Sequence, residues 1–370
     1  MIYLDYSSNH PVDDEVLDTF VSVEKKYYGN CNSLHQAGKE SLDFYNRIND
    51  SVLSLLHLDK NEYEVIYTSS ATESNNTVIK GVYESYNGFG KRMLASEFEH
   101  NSVNAALSYL KDKGADIELV KTDEDGKMSI SDLKKRLTKD TLLVSAALVE
   151  SEVGTIQDYK GIQETVSCYP NTFYLCDATQ AIGKIPVDLN GLDFVSFAPH
   201  KFGGIIGTGV LIKKKKTVLT PLIHGGKSVS IYRSSTFPLG LAASVEKALS
   251  LAIKNIDEHY RKVEILSSYL REEIGKMKNV LINSPIGNPY ILNFSILDRK
   301  GGETVEYLSK KGICISQKSA CSLNNTPSKA VMAIYHDKKR ALSSVRVSLS
   351  YLTTKDEINA LIDALKEYRK

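Results

Sequence analysis

From Glu64 onward, short runs of the period expected for strands alternate with stretches whose apolar positions repeat at helical spacing. Glu64 to Thr68 leads into Ala71 to Tyr86, and Arg92 to Ser96 leads into Asn101 to Lys111. Ile117 to Val120 precedes a turn at Asp125-Gly126 and a helix near Ser131 to Leu137. Thr141 to Val149 is almost continuously apolar, as expected of a strand covered on both faces of a sheet. Two more apolar runs follow, one ending in the carboxylate of Asp177 and one spanning Phe194 to Ala198. This alternation predicts an α/β architecture: βαβ units forming a mostly parallel sheet with helices on both sides.

After about Ile256 the rhythm changes. A long helix through Met277 is followed by a strand from Ile291, a helix after Gly302, and strands at Ile313 to Ser316 and Val345 to Ser350. The last helix is marked by Thr354 and Glu357 at capping-box spacing, with Ile358, Leu361, Ile362 and Leu365 on one face. The expected division is a large domain over 13–254 and a smaller α+β domain made of 1–12 and 255–370, packed without a flexible linker.

Composition narrows the class without naming a function. A chain of 370 residues, 42% hydrophobic and 25% charged, has ample material for a core. Its 46 basic and 45 acidic residues give a net charge of +1, so charge favours neither nucleic acid nor an anionic membrane as a partner. The one basic run, Lys213 to Lys216, reads as a solvated strand end. No apolar stretch reaches membrane-spanning length and MIYLDYSS lacks the features of a signal peptide, which places the protein in the cytoplasm as an expectation. The five cysteines are scattered without CxxC spacing, so they are expected to be mostly free thiols with no structural zinc.

The densest chemistry lies between Thr172 and Thr208. Asp177 ends one strand, and His200-Lys201 opens into glycines after another. A lysine can form a Schiff base with an aldehyde, and an aspartate can hold a proton on a pyridine nitrogen, a pairing suited to pyridoxal phosphate. Taken alone, two charged loop residues after neighbouring strands are equally consistent with this arrangement. Ser69 to Asn75 lies between a strand and a helix, where free N–H groups and the helix dipole favour a phosphate, though Ser70 with Glu73 also suits an ordinary capping box.

Residue by residue, Asp177-Ala178-Thr179-Gln180 and Ser196-Phe197-Ala198-Pro199-His200-Lys201 resemble the cofactor segment of cysteine desulfurases, fold-type I pyridoxal-phosphate enzymes of the class V aminotransferase group. The resemblance extends from Tyr3 to about Thr354 and implies that fold, with a large sheet of seven-stranded type. It implies cofactor roles for Ala71 and Thr72 at the phosphate, Asp177 at the pyridine nitrogen, Gln180 at the phenolic oxygen and His200 at the phosphate. Lys201 becomes the Schiff-base lysine, and His100, in Glu99-His100-Asn101, a ring-stacking and acid/base residue. Ser344-Val345-Arg346 resembles the segment whose arginine grips the substrate carboxylate, and Ser319-Ala320-Cys321-Ser322 the catalytic cysteine loop. Arg233-Ser234-Ser235-Thr236 resembles an element whose threonine reaches the partner subunit's cofactor, which implies a homodimer.

The match has departures. Ser151 stands where an asparagine usually meets cofactor and substrate, Ala198 where a serine hydroxyl is usual, and Ser235 where a glycine is usual. Ile205-Ile206 follows the paired glycines in place of Pro-Lys, Lys318 precedes the cysteine segment in place of glycine, and Asn9-His10 replaces Thr-Thr. The implied activity is conversion of L-cysteine to L-alanine, with sulfur passing to Cys321 as a persulfide and on to an acceptor protein such as an iron-sulfur scaffold or a tRNA-thiolation enzyme. Two alternatives stay open: another pyridoxal-phosphate reaction that needs no Cys321, and a degenerate member that only binds a partner.

Overall fold

The computed structural model describes residues 1–226, 228–318 and 326–368. Its strands are β1 (Ile2–Tyr3), β2 (Tyr63–Thr68), β3 (Arg92–Ser96), β4 (Asp116–Val120), β5 (Thr141–Ala147), β6 (Phe173–Asp177), β7 (Phe194–Phe197), β8 (Gly209–Lys214), β9 (Val280–Ile282), β10 (Ile291–Ile296), β11 (Ile313–Cys314) and β12 (Ser344–Ser348). Seven of them form one sheet in the order β2-β8-β7-β6-β5-β3-β4. Strand β8 runs antiparallel to both its neighbours, and the other pairings in the sheet are parallel. The fold is therefore the expected α/β class, with one antiparallel strand that the hydrophobic pattern does not reveal.

Apolar side chains on both faces explain why this sheet is internal. Val144, Tyr174, Cys176, Val195 and Phe197 join one core cluster, while Leu143, Leu175, Phe194 and Leu211 join another across the sheet. Strand β5 is buried along nearly its whole length, which fits its lack of polar alternation.

The basic run is solvated only at its far end, where Lys215 and Lys216 are exposed; at Lys213 the expectation fails. Strand β8 lies inside the sheet, so Lys213 is fully buried; its ammonium pairs with Glu64 at 2.6 Å and lies 4.4 Å from the centre of the Tyr232 ring. Lys214 pairs with Asp193 at 2.9 Å.

A second, three-stranded antiparallel sheet has the order β12-β10-β9. The amino-terminal strand β1 pairs with β11, and Asp5 bridges Ser348. The first residues of the chain are thus tied to its last third. The helix Lys355–Tyr368 has the expected reciprocal cap, Thr354 N–H donating to the Glu357 carboxylate and Glu357 N–H to the Thr354 hydroxyl. Ile358, Leu361, Ile362 and Leu365 are buried, as their spacing implies.

Candidate active site

Open parallel sheets gather functional groups beyond the carboxyl ends of their strands. Here β2, β3, β5, β6 and β7 deliver Ser70 to Thr72, His100, Ser151, Asp177 and Ala198 to Lys201 to one end of the large sheet. All of these except Pro199 line a single cleft of about 230 Å³, together with Ser7, Ser8, Gln180 and Arg346. Ala71, Thr72, His100, Ser151, Asp177, Gln180, His200, Lys201 and Arg346 are therefore brought together. Thr236 is not in this cleft: it lines a separate cavity with Thr68, Gly209 and Arg233. Cys321 lies outside the described residues.

Asp177 sits at the last position of β6, level with Ala147 on one side and Ser196 on the other. One carboxylate oxygen accepts from Asn75 Nδ2 at 2.9 Å and the other from Thr179 N–H at 3.0 Å. Asn75 is itself fixed, donating to Ser102 Oγ and accepting from Ser196 Oγ at 2.5 Å. The sequence reading missed this role. Asn75 lies one turn into the helix Ala71–Tyr86 and is buried, and its partners Asp177 and Ser196 come from strands more than 100 residues away.

The N-terminus of Ala71–Tyr86 is capped by Ser70, which accepts from Glu73 N–H. The reciprocal bond is displaced by one residue from a standard capping box: Glu73 accepts from Ser69 N–H at 2.8 Å, and its other oxygen pairs with Arg233 at 3.0 Å. The first N–H groups of a helix have no partner within it, so Ala71 and Thr72 bring donors and positive dipole to the cleft.

His100 caps the helix Asn101–Lys111, its Nδ1 accepting from Ser102 N–H while its ring lines the cleft. Glu99, directly before it, is a buried strut that accepts from Ser96 Oγ, Ala147 N–H and Ser145 Oγ. Burial is the main cause that raises its carboxyl to about 7.

Ser151 occupies a tight turn closed by Glu150, whose carboxylate accepts from Glu152 N–H and Val153 N–H. Burial first, and then the Glu152 charge, push the Glu150 carboxyl upward. Gly154 closes the turn at φ +80°, a conformation that suits glycine, and a Cβ there would lie 2.9 Å from the Ile291 Cβ.

Arg346, from β12, is 1% exposed. Its Nη1 donates to the Ser151 carbonyl, and its Nη2 to Asp5 at 2.9 Å and Ser8 Oγ at 2.8 Å. Lys201 donates to the Ser8 carbonyl. Ser8 thus bridges the lysine and the arginine, a contact that no sequence motif announced.

Four buried polar atoms of residues lining this cleft lack a hydrogen-bond partner among the described residues: Ser7 Oγ, Thr179 Oγ1, His200 Nδ1 and Arg346 Nε. Buried donors and acceptors left unpaired cost roughly 1–3 kcal/mol each, so their convergence marks a site shaped for a polar ligand. Burial holds the His200 imidazole down at about 4, aided by Lys201 and Lys184, so near pH 7 the ring is neutral.

Among the described residues no group of His, Cys, Asp and Glu has the arrangement to hold a metal ion, and no helix is long and apolar enough to cross a membrane. Cys31, Cys168, Cys176 and Cys314 are free thiols.

A family model, aminotransferase class-V, matches residues 2–361. The cysteine desulfurase IscS of Dictyoglomus turgidum is 32% identical over 371 residues, covering 99% of this chain and 93% of its own. A NifS/IcsS protein homolog of Lactobacillus delbrueckii subsp. bulgaricus is 34% identical over 378 residues, covering 99% and 97%. Among solved structures, a NifS-like protein superposes with a TM-score of 0.92 at 29% identity, covering 100% of this chain and 99% of its own. The chain therefore belongs to the aminotransferase class-V family, and within it to the cysteine desulfurases.

Proposed function

We propose that this protein converts L-cysteine to L-alanine and passes the sulfur through Cys321, using pyridoxal phosphate bound in the cleft. The observation that carries the reading is the convergence of Asp177, Lys201 and Arg346 on one cleft whose wall holds unpartnered polar atoms. The donor set fits the cofactor. Ala71, Thr72 and Thr179 would hold its phosphate with neutral His200, Asp177 its ring nitrogen, Gln180 its phenolic oxygen and Lys201 its aldehyde carbon, with His100 over the ring. Bound there, pyridoxal phosphate supplies an electron sink for bonds at the substrate's α-carbon.

The protein's own groups then divide the work. Arg346 lines the cleft and has a buried Nε–H without a partner among the described residues, a donor that a substrate carboxylate would satisfy. Asp5 and Ser8 on Nη2, with the Ser151 carbonyl on Nη1, hold the guanidinium in a fixed orientation. Lys201 would serve as the base that moves the substrate's α-proton. Asn75 keeps the Asp177 carboxylate aligned, with Thr179 N–H on its other oxygen. The Cys321 thiolate would attack the substrate's sulfur, the new S–S bond forming as the substrate's C–S bond breaks with its electron pair left on the carbon fragment. That fragment is protonated to alanine, and a sulfur-acceptor protein then consumes the persulfide.

Thr236 lines a cavity outside its own chain's cleft, as a residue serving a partner's cleft would, and this supports a homodimer as the active unit. The pairing of β1 with β11 and of Asp5 with Ser348 supports grouping 1–12 with 255–370 as the small domain.

The test is a single turnover without reductant. Loaded protein given L-cysteine should accumulate one persulfide on Cys321, read by mass spectrometry, and Cys321→Ser should accumulate none. Sulfur transfer that is indifferent to Cys321→Ser would overturn the assignment.

A further inference from the structure

Gln180 is anchored at both ends of its amide. Its Nε2 donates to the Ser7 carbonyl at 2.9 Å, and its Oε1 accepts from Lys184 Nζ at 2.7 Å. A carbonyl can only accept, so the Ser7 contact requires nitrogen on that side, and the amine of Lys184 satisfies the oxygen on the other. The second Nε2 hydrogen has no partner among the described residues, and Gln180 lines the cleft.

Lys184 is 5% exposed and makes no ion pair among the described residues. It lines a second cavity behind Lys201, with Tyr6, His10, His259 and Tyr351. A lysine so deeply buried for a single neutral acceptor is an expensive way to fill space. Burial, reinforced by the charges of Lys201 and Arg346, lowers its pKa well below the usual lysine range, which removes the cost of an unpaired charge. What remains is an amine whose visible contact is to one oxygen of a cleft residue.

We propose that Lys184 is a positioning residue that holds the Gln180 amide with its nitrogen toward Ser7 and the cleft, presenting a donor to the phenolic oxygen of the bound cofactor. This rests on the cofactor reading above. Through Ser7 the same contact also steadies Ser8, whose carbonyl and hydroxyl hold Lys201 and Arg346. Without the amine, Gln180 Oε1 loses its donor in a buried place, and the side chain turns to find another.

The experiment titrates the visible absorbance of the cofactor-loaded protein with pH, and measures cofactor dissociation, in wild type, Lys184→Met, Lys184→Gln and Gln180→Leu. A donor on the phenolic oxygen stabilises its deprotonated form, so losing that donor raises the pH midpoint. Lys184→Met should raise the midpoint by about one unit and weaken cofactor retention about 10-fold, with a melting temperature equal to or above wild type, since a buried amine is replaced by an apolar chain. Lys184→Gln, which can still donate to Oε1, should recover part of the shift. In a Gln180→Leu background, Lys184→Met should add nothing, because the effect passes through Gln180. The other titratable groups of the cleft, Asp177, His100, Glu150, His200, Lys201 and Arg346, are identical in all these proteins. An unchanged midpoint in Lys184→Met, or a full additional shift in the Gln180→Leu background, overturns the inference alone. A wild type with no visible absorbance after loading overturns the cofactor reading and the inference with it.

Discussion

Arg346 shows how much one side chain can be asked to do. It is buried in the cleft wall, tied to Asp5, Ser8 and Ser151, and still keeps an Nε–H unpartnered among the described residues. Lysine offers a point charge without the fork. Arg346→Lys should therefore raise the KM for L-cysteine roughly 10- to 100-fold, the loss of a charge-assisted hydrogen bond worth about 1.5–3 kcal/mol, as read by steady-state kinetics. His10 carries a different prediction. Burial lowers it to about 4, and Lys184 and His259 push the same way, while the Pro11 carbonyl and Asp13 oppose; Ser350, Tyr6 and Tyr351 complete its surroundings. Its folded pKa lies below its unfolded value, so between about pH 6.5 and 4 the unfolded chain binds the extra proton, and stability falls with acidification. The contribution is up to roughly 3 kcal/mol. His10→Thr should flatten this limb of the stability profile in denaturant titrations at several pH values; an unchanged limb would refute the assignment. The acid and lysine of the site, Asp177 and Lys201, were legible as chemistry in the sequence. Asn75 and Ser8 were not, because their roles depend on which residues the sheet and the amino terminus place beside them.

At the scale of elements, the strands and helices followed hydrophobic period closely. The helices Ala71–Tyr86 and Asn101–Lys111 have the expected bounds, and β5 ends two residues before the apolar run does, where the chain turns toward Ser151. Two local patterns differ in the structure, one through position in the sheet and one at a helix start. Strand β8 is antiparallel and interior, so Lys213 is buried against Glu64 and Tyr232 despite a local pattern typical of a solvated end. Lys213→Met should hold stability better than Lys213→Ala in denaturant unfolding, because the long chain's packing persists when the charge is gone, whereas Ala also leaves a cavity. Ser70 caps its helix as expected, while the reciprocal bond to Glu73 comes from Ser69 N–H and the other Glu73 oxygen pairs with Arg233. Ser70→Ala should cost about 1 kcal/mol of stability and loosen the phosphate end of the cleft, seen as faster cofactor loss on dilution.

The whole molecule assembles its site from both ends of the chain. Five strands of the large sheet deliver one wall, the first ten residues supply Ser7 and Ser8, and β12 supplies Arg346. The order of motifs made this family legible in the sequence. The closure of the cleft by the amino terminus was not, because it depends on β1 pairing with a strand more than 300 residues away. The most direct measurement is the product ratio from L-cysteine with a reductant, comparing wild type with Lys201→Ala. Alanine and sulfide in about equal amounts, abolished in Lys201→Ala, is the result expected of a desulfurase built on this cleft. Pyruvate and ammonia in place of alanine, or turnover that survives Lys201→Ala, would contradict it.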